Sequence, residues 1–354
     1  MAAFSDLISS GLIEKDTNKD VLWTWSFPSI TPSQKSFLLR KCNLDNEVTS
    51  VSQQITFRYY HFQRVWFYLY LSEVFEADKL PRVRQFVLVL KTKDFNPEKY
   101  ETLCRILSKT YCKTGDPAAM LRLYLSVAIK GCCATEENGT FLTKDFDQKT
   151  SFSTVPIKAV IRMFGLETIL IYTALILKKR IVVYHHHLDY LLSFLRALPA
   201  LVWHRQDWDI LYPDVDMIEE EMADLTSNPN YVAGFQIAAV EGRHELYDIF
   251  VNLAATEISV ATHAKETFTM SKMHKDIAVY MVRHAENENS SDQQVIKEIS
   301  VKTTELLTYL KSLASTETKG LPVISLSDLK EKKLGPSLEN FLWNLSIAEG
   351  LVAL

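Results

Sequence analysis

Three stretches of the chain concentrate side chains of the types that do chemistry. His185-His186-His187 is followed by Asp189, and His187-x-Asp189 has the spacing of the first two ligands of a facial 2-His-1-carboxylate iron site. No third ligand is identifiable, and consecutive histidines on a strand point to opposite faces. The competing reading is therefore a solvated turn between a strand ending at Tyr184 and a helix opening at Leu188. Arg283-His284-Ala285-Glu286 has the order of a phosphohistidine motif, but that chemistry needs its histidine on a loop just after a strand. His284 instead continues an apolar helical face with Ile277, Tyr280 and Met281. The third stretch, Trp203-His204-Arg205-Gln206-Asp207-Trp208, packs aromatic and bidentate-capable side chains between Pro199 and Pro213. Trp and Arg are enriched at interface hot spots, so the stretch reads as a binding surface. Against that stands a reading with both tryptophans in the core and the charges on the rim. His244-Glu245 lacks a second histidine at 248, which is aspartate, and there is no GxSxG, so neither a helical zinc pair nor a serine elbow is present.

Composition narrows the classes further. The chain has only 10 glycines in 354 residues, far below the roughly 7% of average usage, and none stands in GxGxxG or GxxxxGK[ST]. A glycine-rich nucleotide cradle is not expected. Lys plus Arg number 39 against 43 Asp plus Glu, a net charge of -4 that offers no broad basic field to nucleic acid or anionic lipid. Five cysteines without a CxxC suit free thiols in a reducing, cytoplasmic compartment. Asp6, Glu14 and Asp16 interrupt any leader-like apolar run, and the most apolar stretch, 168–177, is about half a membrane span. Without a myristoylation glycine or a CaaX cysteine, no direct membrane insertion is expected, and membrane association is assigned to partners.

These residues need elements to hold them. The length predicts two or three domains. In the N-terminal third the period is two: residues 7–13, 21–27, 55–60, 65–71 and 86–90 read as strands. Thr31-Pro32-Ser33-Gln34 has the spacing of a capping box and opens a helix. Asn96-Pro97 and Asp116-Pro117 open two more, which stop before Gly115 and Gly131. Strand, strand, helix, three strands and two helices make an antiparallel sheet with segregated helices, the order a longin-type module uses. After a polar stretch at 131–155, helices at 157–164 and 166–177 lead into the buried strand Ile181-Val182-Val183-Tyr184, which predicts a parallel-sheet core. Further strands are expected at 201–203, 231–235 and 247–253. From about residue 262 the pattern is helical, broken at 286–292, with no strand of comparable quality. The fold class is thus α+β followed by α/β and a helical C-terminal segment.

Four segments carry a resemblance. Residues 174–184 (ALILKKRIVVY), 198–203 (LPALVW), 230–235 (NYVAGF) and 247–253 (YDIFVNL) occur in the order and rough spacing of a DENN domain core. The chain resembles the DENN domain family, its shortest members most of all. The resemblance implies a longin-like upstream module over 1–132, a linker over 133–155, an α/β DENN core over 156–261 and a helical downstream segment over 262–354. It implies a guanine-nucleotide exchange factor for Rab GTPases, acting in traffic through late endosomes, multivesicular bodies and secretory organelles. Such a protein engages a GDP-bound Rab through its switch regions, and needs no cofactor, metal or covalent chemistry of its own. On these segments the Rab contacts are expected at Lys178, Lys179, Arg205, Gln206, Asp207, Trp208, Asn230 and Tyr231. The resemblance also implies a second role, as a non-catalytic adaptor on the Commander endosomal recycling assembly. Either role places the protein in the cytoplasm, peripherally on late endosomes through partners. After Trp203 many family members carry a proline-rich stretch, where this sequence has His204 to Tyr212 before Pro213.

Overall fold

The computed structural model describes residues 6–44, 56–74, 78–136, 139–318 and 321–352. The chain divides into two compact units, Met1–Ser151 and Phe152–Leu354.

The first unit opens with β1 (Leu7–Asp16) and β2 (Val21–Phe27), then α1 (Pro32–Lys41), β3 (Phe57–Phe62), β4 (Val65–Glu73) and β5 (Val83–Thr92). The strands pair antiparallel in the order β2-β1-β5-β4-β3. Ile55, expected in the third strand, lies outside the described residues. α1 begins where the sequence places its cap, with the Thr31 hydroxyl accepting from the Gln34 N–H at 3.3 Å. The return half of the expected capping box is not made, because the Gln34 amide reaches across to Gln63. One sheet face buries Ile13, Phe67, Leu69 and Val87 against Phe37 and Leu38 of α1. Beyond β5 come α2 (Pro97–Thr114) and α3 (Pro117–Lys130), capped by Asn96 and Asp116. α2 ends at Gly115 with φ 63, where a β-carbon would run into the Lys79 carbonyl, so glycine alone fits. The segment read as the connection holds a hairpin, β6 (Cys132–Thr135) with β7 (Gly139–Leu142), and the short helix α4 (Gln148–Ser153).

In the second unit, α5 (Ile157–Phe164) and α6 (Thr168–Ile176) lead into β8 (Ile181–Tyr184), followed by α7 (Leu188–Ala197) and β9 (Leu211–Tyr212). Next come α8 (Glu219–Thr226), β10 (Val232–Phe235), β11 (Ile249–Asn252) and β12 (Glu257–Val260). The sheet order is β12-β11-β8-β10-β9; β8 pairs parallel with β10 and β11, β10 pairs parallel with β9, and β12 closes one edge antiparallel. The apolar run Ile181-Val182-Val183 is fully buried at the centre, as a strand covered on both faces requires. Gly234 lets β10 approach its neighbours, since a β-carbon there would strike the Pro213 carbonyl and Leu195. The C-terminal segment is α9 (Lys272–Glu286), α10 (Asp292–Ser312), the small hairpin of β13 (Thr316–Thr318) and β14 (Leu321–Val323), α11 (Leu326–Glu331) and α12 (Pro336–Ala348). The fold class is α+β and α/β with a helical C-terminal segment, as the sequence pattern predicts.

Two local expectations are corrected. Residues 201–203 form no strand: Leu198–Val202 is a 3₁₀ turn continuing from α7. A short apolar run carries no period that separates strand from helix, and here Pro199 follows a helix end. The hairpin of β13 and β14 was not expected in the helical segment; strands of three residues are too short for an alternation to register.

Candidate partner-binding edge of the parallel sheet

Parallel pairing sets Val232 of β10 opposite both Ile181 of β8 and Leu211 of β9. The chain therefore enters all three strands from one edge of the sheet. The residues just upstream of them include Lys178 and Lys179, the stretch 204–210, and Asn230 with Tyr231. Three segments far apart in sequence, all singled out for partner contact, are thus gathered by β-sheet geometry alone.

The side chains divide sharply. Lys178 terminates α6 in the left-handed region, φ 51. Its N–H bonds to Leu175 O and that of Lys179 to Ala174 O, the paired bonds of a Schellman end. The Lys178 side chain is exposed and that of Lys179 half-buried. Asp207 is exposed, with its Oδ1 accepting the Asp209 N–H at 3.0 Å; desolvation by its surroundings raises its carboxyl, and the Asp209 N–H and the charges of Arg205 and Lys178 only partly oppose this. Gln206, also left-handed at φ 51, donates its amide to Trp203 O at 2.9 Å. Asn230 is half-buried.

Arg205 turns inward. Its guanidinium donates to Leu175 O and Ile176 O, both at 2.6 Å, satisfying the last carbonyls of α6, and to the Glu349 carboxylate at 2.5 Å. Burial alone would raise the Glu349 carboxyl, but hydrogen bonds from His204 and Arg205 and the Arg205 charge hold it down at about 2. Arg205 thus ties α6 to the residue capping α12.

The exposure expected of Trp208 and Tyr231 is corrected by the structure. Trp208 is 2% exposed, stacks on Phe152 with centroids 3.7 Å apart, and donates its indole N–H to Arg196 O at 3.0 Å. Tyr231 is 1% exposed, with its hydroxyl on Leu246 O at 2.5 Å and its phenol pushed up to about 12 by burial. Both are core aromatics whose polar atoms are satisfied, which is the condition for burying them. Trp203 is half-buried with its ring edge-on to Trp208.

The same edge holds a network that sequence reasoning passed over. Arg180 precedes β8 and Asp248 precedes β11, so parallel pairing brings them together. The Arg180 backbone N–H and guanidinium bond Asp248 at 2.8 and 3.1 Å, and His263 Nε2 lies 3.0 Å from the same carboxylate. Burial works against the Asp248 charge, but the Arg180 and His263 hydrogen bonds hold its carboxyl below the usual range. The signal available was the run Lys178-Lys179-Arg180, whose third member is an ion-pair residue.

The histidine cluster sits at the opposite edge, where β8 ends. Neighbouring rings of His185, His186 and His187 lie 4.5 and 4.2 Å apart, and His185 Nδ1 is occupied by the His187 N–H at 3.0 Å. Burial lowers the His185 imidazole, keeping it neutral. Among the described residues no three His, Cys, Asp or Glu side chains are grouped to hold a metal ion. His284 lies within α9, away from any strand end.

The edge before β8, β9 and β10 offers cations, a carboxylate and amides. A family model described as Stabilization of polarity axis matches residues 155–262, which contain the parallel sheet and all eight expected contact residues. DENN domain-containing protein 10 of Danio rerio is 46% identical over 354 residues, covering 99% of each chain. The Homo sapiens protein of that name is 44% identical over 347 residues, covering 98% of this chain and 96% of its own. That of Dictyostelium discoideum is 39% identical, covering 96% of each. At this identity over almost its whole length, the chain belongs to the DENN domain-containing protein 10 family.

Proposed function

We propose that the chain is a guanine-nucleotide exchange factor for a Rab GTPase of late endosomes and multivesicular bodies, meeting its GDP-bound partner at the edge where β8, β9 and β10 begin. What supports this reading, beside family membership, is the gathering of Lys178, Lys179, Asp207 and Asn230 on that one edge. A surface of this kind acts by binding. It stabilises the GTPase with its switch segments withdrawn from nucleotide and magnesium, so GDP leaves because the population shifts. The test is release of fluorescent GDP from a panel of Rabs in excess GTP. Selective, concentration-dependent acceleration is expected, reduced at least tenfold by the paired reversal Lys178→Glu with Asp207→Lys at unchanged melting temperature. Intrinsic rates throughout, with folded protein, would remove the proposal.

A second reading is favoured by one observation: Arg205, Trp208 and Tyr231 are spent on internal contacts, which leaves this edge without its two expected aromatic anchors. On that reading the chain docks as an adaptor on a Commander-type recycling assembly. Co-sedimentation with that assembly, without any effect on GDP release, is the outcome it requires.

A further inference from the structure

The first unit contains a cleft of about 410 Å³ between β4 and α2. Tyr70 and Glu73 line its strand side; Arg105, Ser108, Lys109 and Cys112 line its helix side, at spacings of three and four that put them on one face. Ser108 is 2% exposed and its Oγ has no hydrogen-bond partner, unlike the nearby Thr110 and Thr114, which return their hydroxyls to the carbonyls four residues back. A buried hydroxyl left in that state costs on the order of 1–3 kcal/mol and points to something outside the chain that satisfies it.

The rest of the lining says what that is. Arg105 and Lys109 are exposed, one turn apart at the mouth, and suit an oxyanion. Burial raises the Tyr70 phenol, so its hydroxyl keeps its proton and donates. Burial likewise raises the Cys112 thiol, which disfavours its thiolate. Two carboxylates bear on the site: Glu73 in the lining, which accepts from Gln85 at 3.5 Å, and Glu101 one turn before Arg105, whose charge acts on Tyr70. A bare anion would leave Glu73 facing like charge, whereas a ligand that also carries hydroxyls donates to it. The volume falls in the range of about 300–1,000 Å³ of small-molecule sites, larger than inorganic phosphate needs.

We infer that this cleft binds a phosphorylated polyol, a sugar or inositol phosphate, with the phosphate held by Arg105, Lys109 and the Ser108 hydroxyl and a ligand hydroxyl donating to Glu73. The same headgroup chemistry is offered by a free metabolite and by a phosphoinositide lipid, and the experiment separates them. The full chain is titrated calorimetrically with inositol 1,4,5-trisphosphate, glucose 6-phosphate and inorganic phosphate. It is also sedimented with phosphatidylcholine vesicles with and without phosphatidylinositol bisphosphate. A polyol phosphate is expected to bind, and the double variant Arg105→Gln, Lys109→Gln to weaken it at least tenfold at unchanged melting temperature. Ser108→Val is expected to weaken it several-fold while leaving the melting temperature equal or higher, which a merely structural serine would not do. Recruitment to the bisphosphate vesicles assigns a lipid source; binding of the soluble phosphates alone assigns a free one. No heat with any polyol phosphate, binding undiminished in the double variant, or inorganic phosphate binding equally well would overturn the inference.

Discussion

Lys178 holds a left-handed backbone at the end of α6, where glycine is the least strained residue. A lysine there costs on the order of 1 kcal/mol, and its side chain is exposed and makes the edge positive beside Asp207. Lys178→Gly is therefore expected to raise stability by about 0.5–1 kcal/mol in urea melts while weakening GTPase binding several-fold; unchanged binding would remove Lys178 from the contact surface. Trp208 makes the opposite case from the same set of residues. Its ring is stacked on Phe152 and its N–H satisfied, so Trp208→Ala empties a core site and should cost about 3–5 kcal/mol. A melting temperature within a degree or two of the parent would show that the ring is not core.

At the scale of elements, α9 begins with a cap that depends on pH. The neutral His274 Nδ1 accepts the Ser271 N–H at 3.1 Å, and the ring packs edge-on against Phe341 of α12 at 4.4 Å. Burial lowers its pKa from the ordinary 6.5 to about 4. Between those values the unfolded chain binds more of this proton than the folded one, so the stability it confers is present above 6.5 and is lost as pH falls toward 4. Between pH 7 and 5 the parent should lose roughly 2 kcal/mol more than His274→Gln in parallel urea melts, and identical pH slopes would refute the cap. The same scale explains what the sequence makes legible. α2 and α3 each carry a proline, a capping side chain and a terminal glycine within the segment, and β8 is an apolar run directly preceded by charges, so all three are read locally. β9 is two residues long, and the turn at Leu198–Val202 is apolar throughout, so neither has a period to read. The site was legible as three segments through the family resemblance they carry, and not through the strands they lead into, since β9 was not expected. Which side chains face out was not: Trp208 is buried by Phe152, 56 positions earlier, and Tyr231 by the Leu246 carbonyl, contacts that no spacing within a segment records.

For the whole molecule, a net charge of -4 supplies no long-range pull on anionic partners, so either functional reading would have to draw its affinity from short-range contacts. The two functional readings then differ in a thermodynamic quantity rather than in a residue. An exchange factor that speeds GDP release a thousandfold must favour the release transition state by about 4 kcal/mol. It does so by preferring the GTPase without nucleotide, and linkage makes that preference reciprocal: whatever factor the chain takes from GDP affinity, GDP takes from the affinity of the chain. An adaptor owes nothing to that cycle. The full chain is therefore expected to bind immobilised, nucleotide-free Rab at least a hundredfold more tightly than the same Rab in magnesium and millimolar GDP, and to be eluted by either GDP or GTP. Equal affinity in the two states would mean that binding cannot shift the nucleotide equilibrium, however tight it is, and would leave docking as the function of this edge.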